Sequence, residues 1–177
     1  MLPGKIVDNP HHSGKMIPMM KFQAGTGPDK EKAPMSELEQ KTQQRLAKNA
    51  FMQHNYIELE SVEPDRAVFA LTIRPESCNP YGMVHGGAIY TLADNATGTA
   101  AHTDGRYYVT QTSALHFLRN QSEGTVRAIA TVRHRGKSTV LTAVDIVGEG
   151  GRLLATGEFT FFCVDKGLMD SKVHHQE

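Results

Sequence analysis

The chain has no excess of either charge: 19 Lys and Arg stand against 19 Asp and Glu in 177 residues. A balanced surface gives no electrostatic footprint for nucleic acid or for a broadly acidic partner. No apolar run approaches the roughly 20 residues that cross a bilayer, and the first residues lack the apolar stretch of a secretory signal. Neither membrane insertion nor signal-directed export is expected. There are only two cysteines, Cys78 and Cys163, too few for a disulfide framework and suited to a reducing compartment. Internal repeats are lacking. The pairs His11-His12 and His174-His175 have no partners at zinc-ligand spacing, so no metal site is expected. These absences leave a soluble, cytoplasmic chain long enough for one domain and a tail.

Residues 1–34 are rich in Pro, Gly, Lys and Met and show no periodicity. They read as an extended or poorly ordered arm, with one apolar cluster at Met16-Ile17-Pro18-Met19-Met20. Ser36-Glu37-Leu38-Glu39 matches a capping box just after Pro34 and predicts a helix to about Ala50. From Tyr56 the period changes to two. Ile57, Leu59 and Ser61 alternate with charged residues, and after Glu63-Pro64-Asp65 so do Phe69, Leu71 and Ile73.

A helix over about 86–103 follows, then strands at about 108–119, 124–134, 138–148 and 152–164. Val126, Ala128, Ala130 and Val132 form one inward face, and Val140, Val144 and Ile146 another. Leu153, Ala155, Phe159, Phe161 and Cys163 line the last. Arg135-Gly136-Lys137 and Glu149-Gly150-Gly151 supply hairpin turns. The layout is α+β: a leading helix, then one long central helix wrapped by a curved antiparallel sheet, over residues 35–165, with a tail at 166–177. Small residues along the central helix, among them Ala88, Ala93, Ala96, Gly98 and Ala100, let the sheet curl closely around it. An edge strand left open would favour pairing with a second copy.

The chemistry concentrates in Asn79-Pro80-Tyr81-Gly82-Met83-Val84-His85-Gly86-Gly87, which runs into Ala88-Ile89-Tyr90-Thr91-Leu92-Ala93-Asp94. Asp94 is one acid among small, mostly apolar residues, where an unpartnered carboxylate is expensive to bury. Backbone N–H groups at Gly86 and Gly87, at the start of the helix, can hold a developing oxyanion. A helix-mouth donor and an acid two turns on are the parts of an acyl-transfer site. Each has a plainer reading as well: the glycines permit a tight turn, Asn79 opens it, and Cys78 without a base is an inert thiol.

The spacing of Asn79, Gly82, His85-Gly86-Gly87 and Leu92-Ala93-Asp94, with the element order around it, resembles the hotdog-fold acyl-CoA thioesterases of the PaaI-like branch, over about residues 50–165. The resemblance implies hydrolysis of acyl-CoA to free acid and CoA, with no metal or redox cofactor. It also implies a site shared across a dimer, commonly within a tetramer made of two dimers. Asn79 and the Gly86 N–H would come from one subunit and Asp94 from the other. Asp94 would attack the thioester or activate a water, Asn79 would hold that water, and His85 would shape the turn or lie near the sulfur. Thr112 or Ser113 would place an assisting hydroxyl. Arg133, Arg135, Gly136 and Lys137, with Gly87 and with Arg119 in reserve, are candidates for meeting CoA. Tyr81, Met83, Tyr90, Phe117 and Phe162 are candidates for the acyl pocket.

Two other functions compete. A hotdog hydratase or dehydratase would pair a histidine with an acid in a different motif. A non-catalytic acyl-CoA-binding module would carry an output domain, and residues 1–50 hold neither a helix-turn-helix pattern nor a basic surface. Acyl specificity, and free CoA against a carrier protein, stay open.

Overall fold

The computed structural model describes residues 35–164. The arm expected over 1–34 with its methionine cluster, the tail over 166–177 and both histidine pairs lie outside them.

The capping box forms as expected: Ser36 Oγ accepts from Glu39 N at 3.2 Å and Glu39 Oε2 accepts from Ser36 N at 2.8 Å. It opens α1, Glu37–Leu46. The single helix expected to Ala50 is in fact two. Asn49 captures Met52 N through its side-chain oxygen at 3.0 Å and starts a new short helix, α2, Ala50–His54. An Asn that competes for backbone donors ends one helix by capping the next. Its amide also donates to Asn95 at 2.9 Å, which ties this corner to the central helix.

The strands are β1 (Ile57–Glu63), β2 (Arg66–Thr72), β3 (Tyr107–Phe117), β4 (Thr125–Arg135), β5 (Thr139–Val147) and β6 (Leu153–Val164), with α3 (Gly86–Ala101) between β2 and β3. All pairings are antiparallel, in the order β1-β2-β4-β5-β6-β3. Leaving β2, the chain must reach the opposite edge of the sheet, about 19 Å away at four strand spacings. Sixteen residues of α3 span about 24 Å, so the helix lies across the sheet and carries the chain over it.

The core sits between them. Ala93, Ala96 and Ala100 are fully buried and form one cluster with Phe69, Val126, Val144 and Phe159 of the sheet. Thr97, also fully buried, satisfies its hydroxyl by donating to Ala93 O at 2.8 Å. Two inward assignments shift. A bulge between Leu59 and Ser61 turns Val62 rather than Ser61 into the core, and one after Ile146 turns Leu154 and Ala155 both inward, leaving Leu153 partly exposed. An extra residue in one strand reverses the alternation beyond it. β3 is an edge strand of 11 residues, mostly exposed.

Candidate active site

The loop before α3 is built around Asn79. Its side-chain oxygen accepts from Tyr81 N at 3.0 Å and Met83 N at 3.2 Å, while its own N–H donates to Met83 O at 2.7 Å. The turn passes through Gly82 at φ +73, a region where a Cβ is strained. Asn79 therefore spends its oxygen on the loop. Val84 and His85 are then pinned by Gln121 O and Ser77 O.

His85 is the N-cap of α3. Its Nδ1 accepts from Gly87 N at 2.8 Å, which places the ring proton on Nε2. The Gly87 N–H, expected to be open to an oxyanion, is thus already taken. The Gly86 N–H has no acceptor among the described residues and is the donor left at the helix mouth.

Asp94 lies two turns further along α3, half-buried. Burial raises its carboxyl above the ordinary value of 3.8, opposed by a hydrogen bond from Thr110 Oγ1 at 2.9 Å. Eight residues of helix separate Asp94 from Gly86 by about 12 Å, too far for both to touch one carbonyl carbon and its oxygen. One chain supplies the two halves of such a site at different places.

The hydroxyl on Asp94 comes from Thr110, which sequence reasoning missed; Thr112 or Ser113 is the hydroxyl the resemblance implies beside the attacking water. The cause is a bulge in β3 between Thr110 and Thr112. Thr110 pairs with the inward Phe161, but Thr112 pairs with Thr160, whose neighbours Phe159 and Phe161 point in. Thr112 therefore falls on the outer face of the sheet. Ser113, paired with Phe159, faces the helix and shares a short hydrogen bond with Tyr90. Tyr90 stands one helical turn before Asp94, so the acid and this phenol share one face; an i, i+4 reading of the helix finds that pair.

A cavity of about 330 Å³ opens beside Asp94, between α1, α3 and β3, with Arg45, Asn49, His102 and Phe161 in its wall. Burial first, and then the charge of Arg45, lowers His102 to about 4. The ring is neutral, with Nδ1 donating to Gly98 O at 2.6 Å and Nε2 accepting from Tyr108 N at 3.3 Å. Of the aromatics expected in an acyl pocket, Tyr90 packs on Phe159 and Phe117 lies against Gly86. Tyr81 is 84% exposed, and Phe161 stands in the cavity where Phe162 was expected.

The basic hairpin is not the open anion site that its sequence implied. Arg135 donates to Asp65 at 2.6 Å, to Asp104 at 2.8 Å and to Ala101 O at 2.8 Å, closing the C-terminal end of α3. Gly136 N donates to Thr139 O, and the carbonyls of Gly136 and Lys137 accept from Arg106. Arg133 lines a larger groove, about 540 Å³, on the outer face of the sheet and away from Asp94. Lys137 is exposed, and neither it nor Arg133 forms an ion pair among the described residues. Arg119 donates to Leu153 O at 3.2 Å.

The same fold recurs in known proteins. The thioesterase superfamily profile matches residues 81–155, from the loop through all of β5 to the start of β6. The acyl-coenzyme A thioesterase PaaI of Escherichia coli is 32% identical over 100 residues, 56% of this chain and 71% of that protein. The 1,4-dihydroxy-2-naphthoyl-CoA hydrolase of Listeria monocytogenes is 32% identical over 108 residues, 59% of this chain and 87% of its own. Among solved structures, E. coli PaaI superposes with a TM-score of 0.70 at 26% identity, covering 72% of this chain and 94% of that one. A thioesterase from Streptococcus pneumoniae crystallised with coenzyme A gives 0.64 at 25% identity, covering 68% and 95%. The superfamily match, the relatives at 32% identity and the fold shared with PaaI make the chain a member of the thioesterase superfamily, in its PaaI-like hotdog branch.

Proposed function

We propose that this protein hydrolyses acyl-CoA thioesters, with Asp94 as the reacting acid. The observation that carries the reading is Asp94 itself: a half-buried carboxylate with a raised pKa, held by Thr110 at the mouth of a cavity. Its relatives named for acyl-CoA and naphthoyl-CoA hydrolysis support the substrate class. The carboxylate takes a proton from water as the water oxygen adds to the thioester carbonyl, or adds to that carbon itself and is released by water afterwards. In either course the tetrahedral adduct collapses by breaking the carbon–sulfur bond, and the thiolate leaves to be protonated as CoA; in the second course water cleaves the resulting anhydride only after that. Water is the only co-reactant, and no oxidation state changes in the step.

The oxyanion needs a donor that Asp94's own helix cannot bring within reach. We assign it to Gly86 N–H of a second copy, assisted by the positive end of α3. Two features support this pairing. The edge strand β3 is long and open, and Val109 and Phe162 make an exposed apolar pair beside it, at 41% and 44%. The assembly is then a homodimer, or a tetramer of two such dimers. Asn79 and His85 build the loop that aims Gly86. Lys137 and Arg133 remain the hairpin's candidates for the CoA phosphates. Both thiols are free, which suits the reducing cytoplasm proposed for the chain.

The test is thiol release from acyl-CoAs ranging from acetyl to long-chain and aryl groups, with wild type and Asp94→Asn. Loss of at least about a hundredfold in kcat is expected of the variant. A wild type that cleaves no CoA thioester, or a variant as active as wild type, refutes the assignment.

A further inference from the structure

Arg45 has no use in the proposed chemistry, yet its placement is costly. It sits on α1 with its side chain turned toward α3, half-buried in the wall of the cavity that holds Asp94. No carboxylate among the described residues lies within ion-pair distance of it. Its one hydrogen bond there is long, 3.4 Å to Thr99 Oγ1. Desolvation weakens its hold on its proton, as expected for a cation lacking an opposite charge. Its neighbours offer no compensation: His102 is neutral and both its ring nitrogens are bonded to backbone. By contrast, Arg135 and Arg106 on the same end of the molecule each hold a carboxylate. A guanidinium kept partly dry without an anion is expensive, and a planar fork fits a carboxylate on two prongs.

The cavity gives this cation a direction. Asp94 and Gly98 lie on one face of α3 at successive turns, and its C-cap His102 continues that line. Gly98 leaves that face without a side chain, and a Cβ there would meet Phe161 at 3.5 Å, an ordinary contact. Sterics therefore do not demand glycine, although glycine in a helix interior costs about 1 kcal/mol against alanine. Gly98 lines the same cavity as the acid and the cation. Thr99, which marks the guanidinium, is five residues past Asp94, about 7.5 Å along the axis and about 140° around it, so the two groups stand roughly 10 Å apart at the helix surface. That span suits a short acyl chain or a single ring. It is far too short for the pantetheine arm that separates a thioester from the phosphates of CoA.

We infer that Arg45 receives an anionic group at the far end of the acyl chain, so that the preferred substrates are CoA thioesters of short dicarboxylic acids. The inference rests on the acyl-CoA reading of the Asp94 site. The carbonyl lies at Asp94, the chain runs past Gly98, and the terminal carboxylate takes the two-pronged position on Arg45. A substrate ending in methyl leaves the cation unpaired, which sets the discrimination.

The experiment compares glutaryl- and adipyl-CoA with pentanoyl- and hexanoyl-CoA on the full chain, for wild type, Arg45→Met and Arg45→Lys. Circular dichroism and light scattering confirm fold and assembly for each. Wild type should favour the carboxylated member of each pair by roughly tenfold to a hundredfold in kcat/KM. Arg45→Met should abolish or invert that preference while leaving the methyl-ended substrates within about threefold, and Arg45→Lys should keep part of it. Wild type that cleaves the methyl-ended substrates as well or better overturns the inference and leaves the thioesterase reading standing. Equal losses on all substrates in Arg45→Met also overturn it, and point to a contact with CoA or to structure. Cleavage of no CoA thioester at all instead refutes the acyl-CoA reading.

Discussion

Asp94 shows how one side chain can be kept against stability. Its folded pKa is raised, so the folded state holds a proton there that the unfolded chain gives up near 3.8. The protonated form is the one that folding favours. That contribution is present below the unfolded value and is lost as pH rises through the raised folded one. At neutral pH the carboxylate is therefore a cost, and Asp94→Asn should raise Tm at pH 7, with the gain shrinking toward pH 4 in a thermal-melt series. Asn also keeps an oxygen for the bond from Thr110. The pH–rate profile should show the matching limb: kcat falls on acidification through a value above the ordinary carboxylate range, because only the charged form acts as base or nucleophile. A variant that melts lower at pH 7, or a limb at the ordinary value, would contradict the burial seen here.

At the scale of elements, the two ends of α3 are held by different devices. His85 closes the N-terminal end and leaves Gly86 N–H open, while Arg135 closes the C-terminal end by binding Ala101 O together with Asp65 and Asp104. The Arg135 side chain is only 19% exposed, so its loss takes the ion-pair partner from Asp65 and the donor from Ala100 O and Ala101 O, while Asp104 keeps Arg106. Arg135→Ala should cost about 3 kcal/mol in urea unfolding. With the folded fraction corrected for, KM for acyl-CoA should stay within about twofold. A stable variant with a much higher KM would return Arg135 to the CoA site that its place in a basic hairpin first implied.

The whole molecule has a site only as a pair, if donor and acid come from different copies. Gly86→Pro is a clean way to remove the donor. Proline is favoured at the first position of a helix, and His85 before it is already extended, at φ −67 and ψ 138. The substitution deletes one N–H and should leave the fold and assembly unchanged, with kcat down roughly a hundredfold or more. Asp94→Asn should be equally inactive. Refolding the two variants together should restore activity, because a mixed dimer carries one site with both groups intact. At equal mixing, half of the dimers are mixed and each has one working site, giving about a quarter of wild-type kcat per chain. No recovery in a mixture shown to exchange subunits would place donor and acid elsewhere.

The capping box at Ser36–Glu39, the period-two strands, the helix from Gly86 and the spacing from Asn79 to Asp94 are local, and each could be read directly from the residues. They sufficed for the fold class and the family, and they singled out Asp94 as the candidate acid. What the sequence could not carry was parity and partnership. A single bulge in β3 sends Thr112 outward and gives Asp94 to Thr110, and nothing in Thr-Gln-Thr-Ser marks which residue is doubled. Arg135 looks like an open cation until Asp65, 70 positions away, is folded against it. Arg45 looks like an ordinary surface charge on an exposed helix until α3 and β3 pack beside it and half-bury it. Periodicity and capping act through neighbours in the chain, so the sequence by itself determined the elements. Burial and ion pairing act through neighbours in space, and only the tertiary structure decided which charges are spent on the fold and which are left for a substrate.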